Sequence, residues 1–322
     1  MKKILLIHTG GTIAMAENEQ EGGIQLSEKH PLVSFQANLK SLALITTDQF
    51  SNLPSPHIGP ETVLKLSNHI QKRMSQEKFD GIVITHGTDT LEETAYMLEL
   101  LSPCKQPIVL TGAMKSSDEL GADGPNNVLS AVRVATSNKA KHLGVVVVIN
   151  DEIHAAKYVT KVHTSSVASF ASPLVGPIGI VTKQKVILFH NQKSEAHLPV
   201  QQIDKRVYLL KLYSGIDNVV MEAIEAMKLD GLVIEAFGQG NVPLVVVPTI
   251  KRLIANNIPV VIVSRSLDGV VQPSYSYDGG GKHLQDLGVI FSKGLTGQKA
   301  RLKLLFALHK TNNMNELQFI FD

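Results

Sequence analysis

Three polar clusters combine hydroxyl, carboxylate and amine side chains: HTGGT at 8–12, HGTDT at 86–90 and NDEIHAAKYVTK at 150–161. An alcohol is a weak nucleophile at neutral pH and needs a base beside it. Thr12, Thr88, Asp89 and Lys161 offer two hydroxyls, a carboxylate and an amine. A lysine drawn into a desolvated site loses part of its proton affinity and can then serve as that base. Each residue also has a plainer reading. A glycine pair such as Gly10-Gly11 marks ordinary turns, Thr88 and Asp89 fit turn chemistry, and an isolated lysine is usually a solvated charge. Thr90 followed by Glu93 reads as a capping box that opens the next helix.

Other chemistries find less support. No Gly-x4-Gly-Lys-Ser/Thr phosphate loop and no Gly-x-Gly-x-x-Gly dinucleotide fingerprint occurs, and no Gly-x-Ser-x-Gly elbow. The histidines show no metal-ligand spacing, and the single cysteine, Cys104, forms no Cys cluster, so no metal and no cofactor is expected. His8 and His86 each follow a strand and read as hydrogen-bonded structural residues. A net charge of +2 with scattered Lys and Arg gives no basic stripe for nucleic acid. No apolar run is long enough to span a bilayer. The N-terminal MKKILLIH is too short in its apolar part for a signal peptide and reads as a buried strand, so a cytoplasmic protein is expected.

The elements that must position these clusters are legible as alternation. Short apolar runs at 4–8, 81–86, 107–112 and 143–150 read as strands. Between them Val63, Leu66, Ile70 and Met74 share a helical face behind Pro60, Leu91, Ala95 and Leu98 share another, and 127–135 repeats the pattern. Strands alternating with amphipathic helices imply an α/β fold with a mostly parallel sheet flanked by helices. In such a sheet ligands bind beyond the carboxyl ends of the strands, where all three clusters are expected. A larger N-terminal domain is read over 1–182 and a polar linker over 183–206. A smaller C-terminal α/β domain follows over 207–322, with strands at 207–213, 230–237 and 258–265 and a helix in GQKARLKLLFALHK. The polar, glycine-containing stretch 15–30 reads as a lid over the first cluster.

Taken together, TGGTIA, HGTDTLEETA, TGAMKSSDELGADGPNN at 111–127, NDEIHAAKYVTK, GQGN at 238–241 and GLTGQKARLKLLFAL resemble the bacterial-type L-asparaginase family over nearly the whole chain, and its cytoplasmic members in particular. The resemblance implies hydrolysis of the side-chain amide of L-asparagine to L-aspartate and ammonia through a β-aspartyl-enzyme intermediate. A broader glutaminase-asparaginase is the nearest alternative, and an inactive amino-acid-binding sensor on the same scaffold is another. Thr12 matches the family's nucleophile, and Thr88, Asp89 and Lys161 match its second threonine, aspartate and lysine. Gly11, Ser55, Asp89, Ala113 and Asn241 match substrate-contacting positions. Ser55 matches the α-carboxylate site and Asp89 the α-amino site. Ala113 matches a carbonyl that accepts the leaving amide, and Asn241 a residue reaching a neighbouring subunit's site. A homodimer or homotetramer is implied. The chain departs from the pattern at Pro56, where a polar residue is usual, and in lacking a tyrosine after the first motif, since its first tyrosine is Tyr96. It also lacks a glutamate in the small-domain stretch that some members place near the substrate amine. Tyr275 or Tyr277 is a candidate to supply a hydroxyl from a neighbouring subunit.

Overall fold

The computed structural model describes residues 1–17, 24–26, 39–190 and 195–322. It divides into two compact units, Met1–His197 and Leu198–Asp322.

The first unit is built on an eight-stranded sheet. Its strands are β1 (Lys3–His8), β4 (Leu44–Gln49), β5 (Gly81–Thr85), β6 (Ile108–Thr111), β7 (Val145–Ile149), β8 (Glu152–Ala155), β11 (Gly179–Val181) and β12 (Val186–Leu188), in the order β12-β11-β8-β7-β6-β5-β1-β4. The five strands from β4 to β7 are parallel, and β8, β11 and β12 run antiparallel to their neighbours. Side chains alternate between the faces of a strand. One set, including Ile4, Leu6, Val83, Val109, Val146 and Val148, packs with Val128, Ala131, Val132 and Ala135 of the helix Gly124–Thr136. The helix Leu91–Leu101 packs on β6 and β7 and against the helix Pro60–Gln76. Both faces of the parallel part are therefore covered, as the apolar runs required.

Differences from the sequence reading lie at the sheet's margins. The edge strand β4 was not expected, because four of the six residues of LITTDQ are polar, in keeping with its partial burial. The third cluster does not simply extend beyond a strand end. Asn150 and Asp151, with φ of 50° and 60°, make a two-residue turn, and Glu152–Ala155 returns antiparallel along β7. Lys161 then lies on β9 (Thr160–Lys161), which pairs with β10 (Phe170–Ala171) in a separate ribbon. Within the stretch expected as a linker, Val186–Leu188 pairs with β11. Most of the expected lid lies outside the described residues. Inside it, β2 (Met15–Glu17) pairs antiparallel with β3 (Ile24–Leu26).

The second unit has a four-stranded parallel sheet, β13 (Val207–Lys211), β14 (Gly231–Ala236), β15 (Val260–Ser264) and β16 (Ile290–Phe291), in sequential order. Leu232, Ile234, Val260 and Ile262 pack with Met221, Ile250 and Leu253 from the helices Asn218–Ala226 and Val247–Ala255. The helix Gly297–Lys310 packs against β13, β14 and β15.

Candidate active site

The first motif leaves the sheet at the end of β1. Thr9 extends the ladder by one residue, since its N–H and its hydroxyl both donate to the Thr85 carbonyl at 3.1 and 2.9 Å. Its own carbonyl accepts from Leu53 N at 3.0 Å and Ser51 Oγ at 2.8 Å. Gly10 and Gly11 then take φ of 111° and 85°, a region costly for residues with a Cβ. Thr12 opens a single 3₁₀ turn, Thr12–Ala14, and is half-buried.

Close backbone packing brings the second motif to the first. A Cβ on Gly11 would overlap Gly87 Cα, and a Cβ on Gly87 would lie 2.7 Å from Ser55 Oγ. Gly11, Gly87 and Ser55 are thus stacked with no side chain between them, and Thr12 and Thr88 each follow one of the touching glycines. Gly11→Ala is expected to cost about 2–4 kcal/mol, because it combines a positive φ with a backbone overlap. Urea unfolding reads this out, and a variant as stable as the parent would refute the close approach.

Thr88 and Asp89 occupy the turn between β5 and the helix Leu91–Leu101. Thr88 is buried, and its hydroxyl accepts from Lys161 Nζ at 2.9 Å. The same Nζ reaches Asp89 Oδ1 at 2.7 Å. The Lys161 side chain is 16% exposed and that of Asp89 61%. One lysine nitrogen thus bridges a buried hydroxyl and an open carboxylate. Asp89 N donates to Ser55 Oγ at 3.2 Å, which ties the serine to the backbone of the second motif. The expected capping box is not formed. Thr90 gives no side-chain cap, and its hydroxyl donates instead to the Ser55 carbonyl at 2.7 Å. A long-range carbonyl acceptor takes the hydroxyl in place of the local N–H donor of a cap, and Thr90 serves to fix Ser55.

Ala113 is buried beyond the end of β6 and shares a cluster with Ile13, the residue after Thr12. Two residues to which the sequence reading gave no role shape this corner. Asp123 accepts from the N–H groups of Met114 and Lys115 at 3.0 Å. Asn127 donates to the Gly112 carbonyl and accepts from Asn150 N, both at 3.0 Å, tying the ends of β6 and β7. Both lie in the quoted TGAMKSSDELGADGPNN segment, but only their long-range partners reveal the work they do. Asn241 belongs to the second unit, where its Oδ1 accepts from Gly281 N at 3.2 Å. Tyr275 and Tyr277 are exposed there, with ring centroids 5.9 Å apart. Pro56 is exposed beside Ser55. Among the described residues no group of three or more His, Cys, Asp or Glu is arranged to hold a metal ion.

His86 lies under the site and is fully buried. Its Nδ1–H donates to the Gly87 carbonyl at 2.7 Å and its Nε2 accepts from Thr94 Oγ1 at 3.0 Å, the roles that satisfy both partners of a neutral ring. Burial depresses its pKa from 6.5 to about 4, opposed in part by the bond to Gly87. The unfolded chain binds this proton more readily than the folded one. The stabilisation is therefore complete above pH 6.5 and is lost as pH falls towards 4, by about 3 kcal/mol in total. Denaturant titrations should show the stability gap between the parent and His86→Gln narrowing over that interval. A gap independent of pH would contradict the assignment.

The comparisons with known proteins bear on the whole chain. Residues 3–194 match the family model "Asparaginase, N-terminal", and residues 206–321 match "Glutaminase/Asparaginase C-terminal domain". A Deinococcus radiodurans protein named "Probable L-asparaginase" is 35% identical, covering 100% of this chain and 97% of that protein. A "Glutaminase-asparaginase" of Acinetobacter glutaminasificans is 34% identical, covering 99% and 98%. The crystal structure of a "Probable Cytoplasmic L-asparaginase" from Campylobacter jejuni superposes with a TM-score of 0.87 at 33% identity, covering 100% of this chain and 99% of the other. With both of its parts matched and the fold shared end to end, the chain belongs to the asparaginase family of amidohydrolases.

Proposed function

We propose that the protein hydrolyses the side-chain amide of L-asparagine, with Thr12 as the nucleophile. The observation that carries this reading is the Lys161 amine held between Thr88 Oγ1 at 2.9 Å and Asp89 Oδ1 at 2.7 Å, on a loop whose Gly87 is packed on Gly11. Thr12 Oγ attacks the amide carbon, and its proton passes to the leaving nitrogen. The C–N bond breaks, ammonia departs, and a β-aspartyl ester remains on Thr12. Water then attacks the ester, its C–O bond breaks, the proton returns to Thr12, and aspartate leaves. Thr88, with the unprotonated amine of Lys161 as the proton acceptor, activates the attacking group, and Asp89 holds that amine in line. Backbone N–H groups around Thr88 stabilise the oxyanion, a contribution of about 3 kcal/mol in comparable sites.

Asp89, with its carboxylate open to solvent, also suits the α-amino group of the substrate, and Ser55 its α-carboxylate. Gly11 contacts the substrate through its backbone, and the carbonyl of Ala113 accepts from the leaving amide. Asn241, with Tyr275 or Tyr277, completes the site of a neighbouring subunit in a homodimer or homotetramer. The protein acts in the cytoplasm, a reading supported by the likeness to the Campylobacter jejuni protein. Among the described residues no helix is long and apolar enough to cross a membrane.

The second reading, a glutaminase-asparaginase, is favoured by the 34% identity to a relative of that name. Ammonia release from L-asparagine and L-glutamine over a wide concentration range tests both. Saturable release from asparagine alone supports the first reading, comparable kcat/KM for the two amides the second. No release from either overturns both.

A further inference from the structure

Lys161 lies on a ribbon of two short strands outside the main sheet, yet its amine must meet a hydroxyl at the end of β5. Beside it is a concavity of about 400 Å³ lined by Asp89, Glu92, Lys161, Val162, His163 and Thr164. The ribbon is open on that flank, and a buried carboxylate ties it to the neighbouring helix. Glu92, 6% exposed, stands in the first turn of the helix that follows Thr88 and Asp89. That end of a helix favours a negative charge. Its Oε1 accepts from Thr160 Oγ1 at 3.2 Å and from Lys161 N at 3.4 Å.

Both ends of Lys161 are thus tied to one five-residue stretch. The amine is held by Thr88 and Asp89, and the backbone by Glu92. The helix closes the ring, because its first turn fixes Glu92 relative to Asp89. We propose that Glu92 is the positioning residue of the catalytic lysine, setting the ribbon at the height from which Nζ reaches Thr88. It acts through hydrogen bonds and touches no reacting atom. The proposal rests on the amide-hydrolase reading above and adds to it the residue that registers one catalytic motif against another.

The test compares Glu92→Leu, Glu92→Gln and Thr160→Val in the full-length protein, with rates normalised to folded enzyme. Glu92→Leu removes the acceptor and is expected to lower kcat for L-asparagine about 100-fold with KM within about three-fold, since a displacement near 1 Å has that effect in a catalytic array. Glu92→Gln keeps an acceptor oxygen and should recover kcat to within about five-fold of the parent. Thr160→Val removes one of the two bonds with almost no change of shape and should lower kcat about ten-fold, the lower end of what one hydrogen bond to a charged acceptor is worth. A purely structural role would lower the melting temperature and the folded yield and leave kcat per folded molecule unchanged. Parental kcat in Glu92→Leu overturns the proposal. So does a Glu92→Gln variant as impaired as Glu92→Leu, because charge would then be what counts. If Glu92→Leu does not fold, parental kcat in Thr160→Val overturns it. A parent that releases no ammonia from asparagine refutes the hydrolase reading instead, so the two failures are distinguishable.

Discussion

Thr12→Ala is expected to lower turnover of L-asparagine by about ten-thousand-fold or more while leaving the fold intact, the scale on which a lost nucleophile acts. Thr12 is half-buried at the start of a single 3₁₀ turn, and the packing of that turn rests on its neighbours. Gly11 is pressed on Gly87, and Ile13 sits in the core cluster with Ala113. Alanine leaves both neighbours in place, so the melting temperature should stay close to that of the parent. Product binding needs no nucleophile, and aspartate affinity measured by calorimetry should change little. Thr12→Ser keeps the hydroxyl and should retain measurable turnover. Near-normal rates in Thr12→Ala would transfer the role of nucleophile to another group.

Lys161→Met should lower kcat by about 100- to 10,000-fold, the usual range for loss of a positioned proton-transfer group. Methionine has nearly the reach of lysine and no basic atom. The change leaves Asp89 without its lysine partner, but that carboxylate is 61% exposed and stays hydrated, so no buried charge is stranded. The buried Thr88 hydroxyl loses a donor, so a stability loss of about 1–3 kcal/mol is expected, and kcat read per folded molecule separates lost chemistry from lost folding. Loss of kcat per folded molecule supports the role given to Lys161. Parental kcat removes the residue from the mechanism.

The central strands of both sheets were legible because they are continuous apolar runs, buried on two faces, with amphipathic helices between them. The sheet margins were not. Leu44–Gln49 pairs on one side only and carries polar residues, and Val186–Leu188 is a three-residue run inside a polar stretch. Neither has the length or pattern that distinguishes a strand from a connection. At the site, the residue types in HTGGT and HGTDT indicated hydroxyl chemistry, but Lys161 is 73 positions from Thr88 and stood only as a candidate base until the family resemblance matched it. Thr90 shows the limit most clearly. Its spacing to Glu93 fits a local cap, while its hydroxyl goes to the carbonyl of Ser55, 35 residues away. Asp123, Asn127 and Glu92 were passed over for the same reason, since each acts on backbone groups that the fold alone brings near.

The central claim is that the acyl group passes through Thr12. The most direct measurement is acid quenching of the enzyme during turnover of saturating L-asparagine, followed by digestion and peptide mapping by mass spectrometry. The account predicts an aspartyl ester on the peptide that carries Thr12, absent from Thr12→Ala treated in the same way. An ester on the peptide that carries Thr88, with the Thr12 peptide unmodified, would contradict it.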